Sequence, residues 1–305
     1  MVHDPVTVAT APAGWYADPW RQATWRWWDG SGWTAYTSLP EDLRSATGAS
    51  AATWGAPAAP GAAAPTASGA SSGAGGLRAG GIATLGFLVG LAVSTVIGVA
   101  LLVAGYETND PAFLLGSSLG LWVGLGGSCV VAVRVKGSGS LRDLGLVPPR
   151  VVDAALGAGF AVVGIIAVTI AAAVLQAIDK QLLPGGRTEL TDPFDTGRAL
   201  GIVVVYLIAV VGAPFFEELY FRGLVQGTLT ARWGMAVGIV VQALLFALAH
   251  LDPNNGWGNV GTFVVITIVG LGLGTIRYVT KRLPPGMFTH AGYNAVILTL
   301  ALVAK

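Results

Sequence analysis

The side chains most able to do chemistry in this sequence are a few ionisable and polar groups placed inside long apolar segments. Such groups are costly within a membrane and usually mark a functional site. They occur in three short motifs, PFFEELYFRG, FALAHLD and FTHAGYNA. The candidate residues are Glu217, Glu218, Arg222, Phe246, His250, His290 and Asn294.

Helical spacing separates the roles of the two neighbouring glutamates. Glu218 and Arg222 are four residues apart, so they share a helix face and are expected to form an ion pair. Glu217 points about 100° away around the helix, where Arg222 neutralises it less readily. A carboxylate without a partner in an apolar environment suits a general base. We therefore predict Glu217 as the base, with Glu218 and Arg222 as a supporting pair.

The two histidine motifs add an imidazole and hydrogen-bond donors. His290 and Asn294 are four residues apart, so they present two polar groups to one cavity, where donors could stabilise a developing oxyanion. No Ser or Cys nucleophile stands beside a base in the three motifs, which favours activated water as the attacking group. Glu217, His250 and His290 have the donor types of a zinc site, but no HExxH spacing fixes them. The cofactor question stays open between a divalent metal such as zinc and no metal.

Taken together, Glu217-Glu218-x-x-x-Arg222, Phe246-x-x-x-His250 and His290-x-x-x-Asn294 resemble, in this order, the motifs of the CAAX-protease and bacteriocin-processing family. That family includes the type II CAAX endopeptidases. The resemblance implies an intramembrane endopeptidase whose peptide or protein substrate reaches the site from the membrane. It implies that Glu217 and His250 activate the hydrolytic water and that His290 and Asn294 bind the oxyanion. Metalloprotease is a frequent label for this family.

Each motif also has a purely structural interpretation. Glu218 and Arg222 are typical of a helix-end ion pair, and His290 and Asn294 are typical of polar groups that bond neighbouring membrane helices. The alternative function is a non-catalytic membrane immunity or scaffold protein that uses the same pocket to bind a peptide. A proton-coupled transporter is a third hypothesis, but the sequence shows no evident inverted repeat.

Composition predicts an all-α polytopic membrane protein with about seven transmembrane helices. Of the 305 residues, 53% are hydrophobic and 11% are charged, against about 25% charged in soluble domains. Each predicted span is close to the ~20 residues that cross a bilayer. The spans are 81–104, 112–135, 154–177, 199–221, 235–251, 258–279 and 286–304.

Charge predicts the orientation and excludes some partners. Ten Lys and Arg residues fall on the side of the N-terminus and four on the opposite side. Together with an N-terminus that lacks an apolar signal segment, this predicts a cytoplasmic N-terminus in the cell membrane. The net charge is +1 and no basic tract occurs, so the bilayer and a peptide are expected partners and nucleic acid is not. The single Cys129 precludes an intrachain disulfide.

The N-terminal region differs sharply from the apolar part. Residues 14–37 contain six of the ten Trp residues, and the spacing predicts strands at 25–28 and 33–36 around an Asp29-Gly30 turn. This small β-rich module resembles a short Trp-rich domain of unknown function that precedes membrane segments in bacterial proteins. Residues 38–80, rich in Ala, Gly, Pro and Ser, are predicted to be a flexible linker. Residues 81–305 would form the protease domain.

Helix lengths make one geometric prediction about the site. A turn near Trp233-Gly234 would make an antiparallel hairpin in which Glu217 and His250 lie at similar depth. His290 follows a complete span and fits this arrangement only if a helix is tilted, broken or shortened. Gly270, Gly272 and Gly274 are the expected place for a bend.

Overall fold

The computed structural model describes residues 14–19, 25–28, 32–38, 71–182 and 199–303. The chain separates into two units, residues 1–66 and 67–305. In the first unit, β1 (Gly14–Ala17), β2 (Trp25–Trp28) and β3 (Trp33–Ser38) form an antiparallel sheet in the order β1-β2-β3. The two predicted strands are confirmed. The predicted Asp29-Gly30 turn and residues 39–70 of the predicted linker lie outside the described residues.

Aromatic rings pack against one another on the small sheet. Trp28 is buried and meets Trp33 edge to face, with ring centroids 5.4 Å apart. Trp15 and Trp27 pair in the same way at 5.5 Å, on the β1–β2 ladder. The buried Asp18 accepts a hydrogen bond from Arg26 Nε at 2.9 Å. Large rings and one ion pair thus replace the extended core that so short a segment lacks.

The second unit is helical throughout. Its helices are α1 (Ser71–Val103), α2 (Pro111–Lys136), α3 (Val151–Ile178), α4 (Ala199–Trp233), α5 (Met235–Leu248), α6 (Gly258–Thr280) and α7 (Pro284–Val303). By length and composition, six of the described helices could cross a membrane, and α5 is a shorter apolar helix. This confirms the predicted fold class. Helix α1 begins inside the segment predicted as linker, although its apolar part begins only at Ala79.

Contacts between loops show how the helices alternate. Arg282, after α6, donates through Nη2 to Oδ2 of Asp153 at the start of α3, at 2.7 Å. The N–H of Leu283 donates to the carbonyl of Gly145 in the α2–α3 loop at 2.9 Å. At the other end, the N–H of Gly261 in α6 donates to the carbonyl of Leu182 after α3 at 2.8 Å. Alternate loops therefore meet at the same end, as a series of alternating spans requires.

Glycines let α1 and α2 approach closely. A Cβ atom on Gly120 would lie 2.7 Å from the backbone of Ser94, and one on Gly124 would overlap the backbone of Gly90. The glycines at these two positions thus allow close packing of α1 against α2. Gly127, on the same helix, faces open space.

Helices α4 to α6 contain the irregular features that place the site. Helix α4 has wide π-helical turns at Leu207–Gly212 and Glu218–Val225, a form often found at functional sites. Gly234, with φ 85° and ψ 171°, separates α4 from α5, which confirms the predicted turn. Helix α6 is continuous through Gly270, so it has no break at the place where a bend was predicted. Gly270 and Gly274 instead give room to α5, since a Cβ on Gly270 would lie 2.9 Å from Ala243.

Candidate active site

Glu217 lies at the centre of the predicted site. Its Oε2 atom is 3.9 Å from Nε2 of His250 and 3.9 Å from Nε2 of His290. Glu217 lies in α4, His250 lies just after the end of α5, and His290 lies in α7, so the three residues are distant in the sequence. The side chain of His250 is 33% exposed, whereas those of Glu217 and His290 are 15% and 6% exposed. The structure therefore brings one carboxylate and two imidazoles together at a site that is open on the His250 side.

Both imidazoles are held through their Nδ1 atoms. Nδ1 of His250 lies 2.7 Å from the carbonyl oxygen of Phe246, one turn earlier in α5. Because a carbonyl oxygen only accepts hydrogen bonds, Nδ1 of His250 is the donor. The other ring nitrogen, Nε2, faces Glu217 and is left to bind another group. Nδ1 of His290 lies 3.2 Å from Oε1 of Glu218. In both rings the contact at Nδ1 fixes the orientation of the ring, so that Nε2 points toward Glu217.

The supporting pair has the geometry that the spacing predicted. Nη1 of Arg222 lies 3.0 Å from Oε1 of Glu218, and both side chains are fully buried. The Arg222 guanidinium carbon is 4.1 Å from the ring centroid of Phe246. That ring also contacts His250 at 4.5 Å and His290 at 5.9 Å between centroids. Phe246 therefore packs between the buried cation and both imidazoles.

Asn294 makes a different contact from the one its motif suggested. Its Nδ2 atom donates to the carbonyl of Ala209 in α4 at 2.7 Å. This hydrogen bond joins α7 to α4 rather than joining Asn294 to a neighbouring side chain of the site. The structure thus brings together Glu217, Glu218, Arg222, Phe246, His250 and His290, with Asn294 attached to the adjoining backbone.

The length of α4 explains how His290 reaches Glu217. At 1.5 Å per residue, the turn after Trp233 lies about 24 Å beyond Glu217 along the helix axis. Helix α5 is short, and His290 lies in the second turn of α7. The site therefore occupies the middle of a long α4, and α6 needs no break. Sequence reasoning missed this because it ended the membrane span at residue 221, whereas one helix continues to Trp233.

Sequence reasoning also missed an apolar cavity that reaches the site. A cavity of about 500 Å³ lies between α3, α6 and α7, and His290 forms part of its wall. Phe160, Ile276 and Tyr293 also line it. Gly164 of α3 and Gly272 of α6 both line this cavity, and a Cβ on either would meet no atom within 4 Å. Small residues on facing helices were the signal available in the sequence.

The carboxylate of Glu217 and the two imidazoles have the donor types of a zinc site. A tetrahedral zinc site with bonds of about 2.0–2.2 Å separates its ligand atoms by about 3.3–3.6 Å. Glu217 Oε2 is 3.9 Å from each Nε2 atom, which is too wide for that geometry. In the part of the chain that the structure describes, no group of three or more His, Cys, Asp or Glu side chains is arranged to hold a metal ion. The donor types suit zinc, but their placement does not fit it.

Fold and site together define a multi-pass membrane protein with a carboxylate and two histidines gathered from distant parts of the sequence. Residues 199–296, which include all three motifs, match the family described as type II CAAX prenyl endopeptidase Rce1-like. This match agrees with the resemblance that the three motifs predicted, and the matched family implies a peptide substrate. No curated protein and no solved structure matches the chain.

Proposed function

We propose that this protein is an intramembrane endopeptidase that hydrolyses peptide bonds with water activated by Glu217 and His250. The observation that supports the proposal most directly is the equal 3.9 Å separation of Glu217 Oε2 from two histidine Nε2 atoms. That gap is too long for a direct hydrogen bond and has the width of a site for one bridging molecule. A water there would contact both a carboxylate and an imidazole.

The chemistry that these residues support proceeds in balanced steps. Glu217 accepts a proton from water while His250 Nε2 holds the same water, and the oxygen attacks the carbonyl carbon of the scissile peptide. The C–O bond forms as negative charge moves to the carbonyl oxygen. As an imidazolium, His290 donates from Nδ1 to Glu218 and from Nε2 to that oxygen, and Asn294 supplies a second donor. Glu217 then returns the proton to the leaving amine as the C–N bond breaks.

The apolar cavity supports entry of the substrate from the membrane. It lies between three membrane helices, and His290, the proposed oxyanion donor, forms part of its wall. His250 does not line the cavity and is the more exposed of the two imidazoles. We propose that a peptide or protein substrate approaches Glu217 through the cavity, while water reaches it past His250.

A reporter-peptide assay on the purified protein in lipid nanodiscs tests this function. The wild-type protein should cleave, and Glu217→Gln should lower turnover by about 10²-fold or more because the base is lost at constant size. Glu107→Gln, at an exposed position in the α1–α2 loop, is the matched control and should cleave normally. A wild-type protein that binds the reporter without cleaving it would instead favour the immunity or scaffold alternative.

Treatment with a chelator tests whether turnover depends on zinc. Because the site residues are too far apart for zinc, we expect turnover to survive prolonged treatment with a zinc chelator. Loss of turnover that added zinc restores would contradict the metal-free steps given above. The proposed roles of Glu217 as base and His250 as water-binding residue would then need revision toward metal ligation.

We further propose a cytoplasmic N-terminus in the cell membrane. The bias of Lys and Arg supports it, because the loops around Arg142 and Arg282 lie at one end and are both positively charged. With seven crossings, α5 and the loop after it must together complete the fifth. A reporter fused after residue 305 should be active only outside the cytoplasm, and cytoplasmic activity there would contradict this topology.

A further inference from the structure

The wide turn at Leu207–Gly212 leaves one backbone carbonyl without its helical donor. In this turn each N–H bonds five residues back, and the N–H of Ala213 donates to the carbonyl of Ile208. By the same pattern the carbonyl of Ala209 would receive the N–H of residue 214. Residue 214 is proline, which has no N–H. Pro214 therefore deprives Ala209 of its donor just before the helix reaches Glu217.

Asn294 supplies the missing donor. Its Nδ2 atom lies 2.7 Å from the Ala209 carbonyl oxygen, and Ala209 is buried. A buried carbonyl without a donor is destabilising, so this contact satisfies a group that the chain's own sequence has left unpaired. One N–H of the Asn294 amide is thereby fixed on α4, and the second N–H is available one turn away from His290.

The other side of the same turn is also fixed. Trp122 of α2 lies against Gly212 so closely that a Cβ on this glycine would overlap the indole. The Trp122 ring stacks on Phe216 with centroids 5.1 Å apart, immediately before Glu217. The wide turn is thus held between α2 and α7, and its shape determines where both Glu217 and Asn294 stand.

We propose that Pro214 is a positioning residue for the reaction. By withholding an N–H from Ala209, it reserves that carbonyl for Asn294 and so orients the second Asn294 N–H toward the oxyanion. This inference rests on the proposed endopeptidase function and on Asn294 as an oxyanion donor. It differs from a stability role because it links Pro214 to one particular step of the reaction.

A double-mutant cycle in the reporter assay tests the inference. In Pro214→Ala, the new N–H donates to Ala209 and competes with Asn294. We expect kcat to fall about 3- to 10-fold with KM unchanged, as the loss of one oriented hydrogen bond predicts. Asn294→Ala should fall about 10²-fold, and the double variant should be no slower than Asn294→Ala alone. Pro111→Ala, which replaces a proline at the start of α2, is the control and should retain kcat.

The outcomes separate this inference from the proposed function. Full kcat in Pro214→Ala beside an impaired Asn294→Ala would overturn the role of Pro214 and leave the peptidase proposal standing. Losses that multiply in the double variant would also overturn it, because the two residues would then act independently. Full kcat in Asn294→Ala would contradict the oxyanion role itself.

A spectroscopic measurement covers the case in which Pro214→Ala folds poorly. The chain has five asparagines, so selective ¹⁵N-asparagine labelling gives few side-chain amide signals. Asn294→Asp identifies the Asn294 signal by its loss. Pro214→Ser, which also restores the N–H, should move that signal and leave those of Asn254 and Asn259 in place. An unmoved Asn294 signal would overturn the inference.

Discussion

The α1–α2 hairpin and the α4–α7 bundle are held together by different means. Close backbone approach at Gly120 and Gly124 joins α1 to α2. The α4–α7 bundle instead buries the ion pair of Glu218 with Arg222 and gathers two histidines beside it. Close packing of small residues joins helices in lipid at little cost in free energy, whereas the burial of charges in lipid has a high cost in free energy. The buried charges therefore mark the part of this membrane unit where we propose that peptide hydrolysis takes place, which is also the segment matched by the protease family.

The largest expected effect on stability belongs to the buried pair. Glu218→Gln leaves the Arg222 guanidinium in an apolar environment without its carboxylate, and breaking a buried pair typically costs about 3–5 kcal/mol. We expect a much lower Tm in detergent and poor expression. The control Glu107→Gln should leave the Tm unchanged. A Glu218→Gln protein as stable as wild type would show that the buried pair does not hold this region together.

A smaller effect is expected in the α1–α2 hairpin. Gly124→Leu forces the two backbones apart, and overpacking of this kind costs about 1–3 kcal/mol. Gly127→Leu, on the same helix but facing open space, is the matched control and should have the wild-type Tm. Turnover per folded molecule should be normal in both. A loss of turnover in folded Gly124→Leu would mean that the hairpin shapes the site as well as packing beside it.

The smallest effect is expected from removing the N-terminal unit. Residues 1–66 form a separate unit, and the family match and all the site contacts lie beyond it. Deletion of residues 1–66 should therefore leave reporter turnover within about twofold of wild type. Loss of cleavage with normal membrane insertion would assign the Trp-rich module a part in substrate delivery or gating.

The sequence predicted those features that depend on local spacing. The pair of Glu218 with Arg222, four residues apart, and the turn at Gly234 both follow from helical periodicity and glycine conformation. The convergence of His250 and His290 on Glu217 follows from the family resemblance. The distances between these side chains could be obtained only from the folded structure. The strands β2 and β3 were predicted because aromatic-rich segments flank an Asp-Gly pair, whereas β1 was not predicted.

The features that the sequence did not predict depend on contacts between helices. The wide turn near Pro214 depends on which carbonyl finds a donor, and that donor is Asn294, far along the chain. The depth of His290 depends on the full length of α4, which continues past the expected end of the span. Gly270 was predicted as a bend, but it serves close packing against Ala243. In each case a long-range contact determined the local structure.

The two neighbouring glutamates offer the most direct test of the central claim, that Glu217 activates the water while Glu218 supports the site. The measurement is reporter turnover per folded molecule for Glu217→Gln and Glu218→Gln, prepared side by side in nanodiscs. We predict that Glu217→Gln falls by about 10²-fold or more with a near-normal Tm, while folded Glu218→Gln stays within about tenfold of wild type. Abolished turnover in stable Glu218→Gln beside an active Glu217→Gln would reverse the assignment, and normal turnover in both would contradict glutamate-activated water altogether.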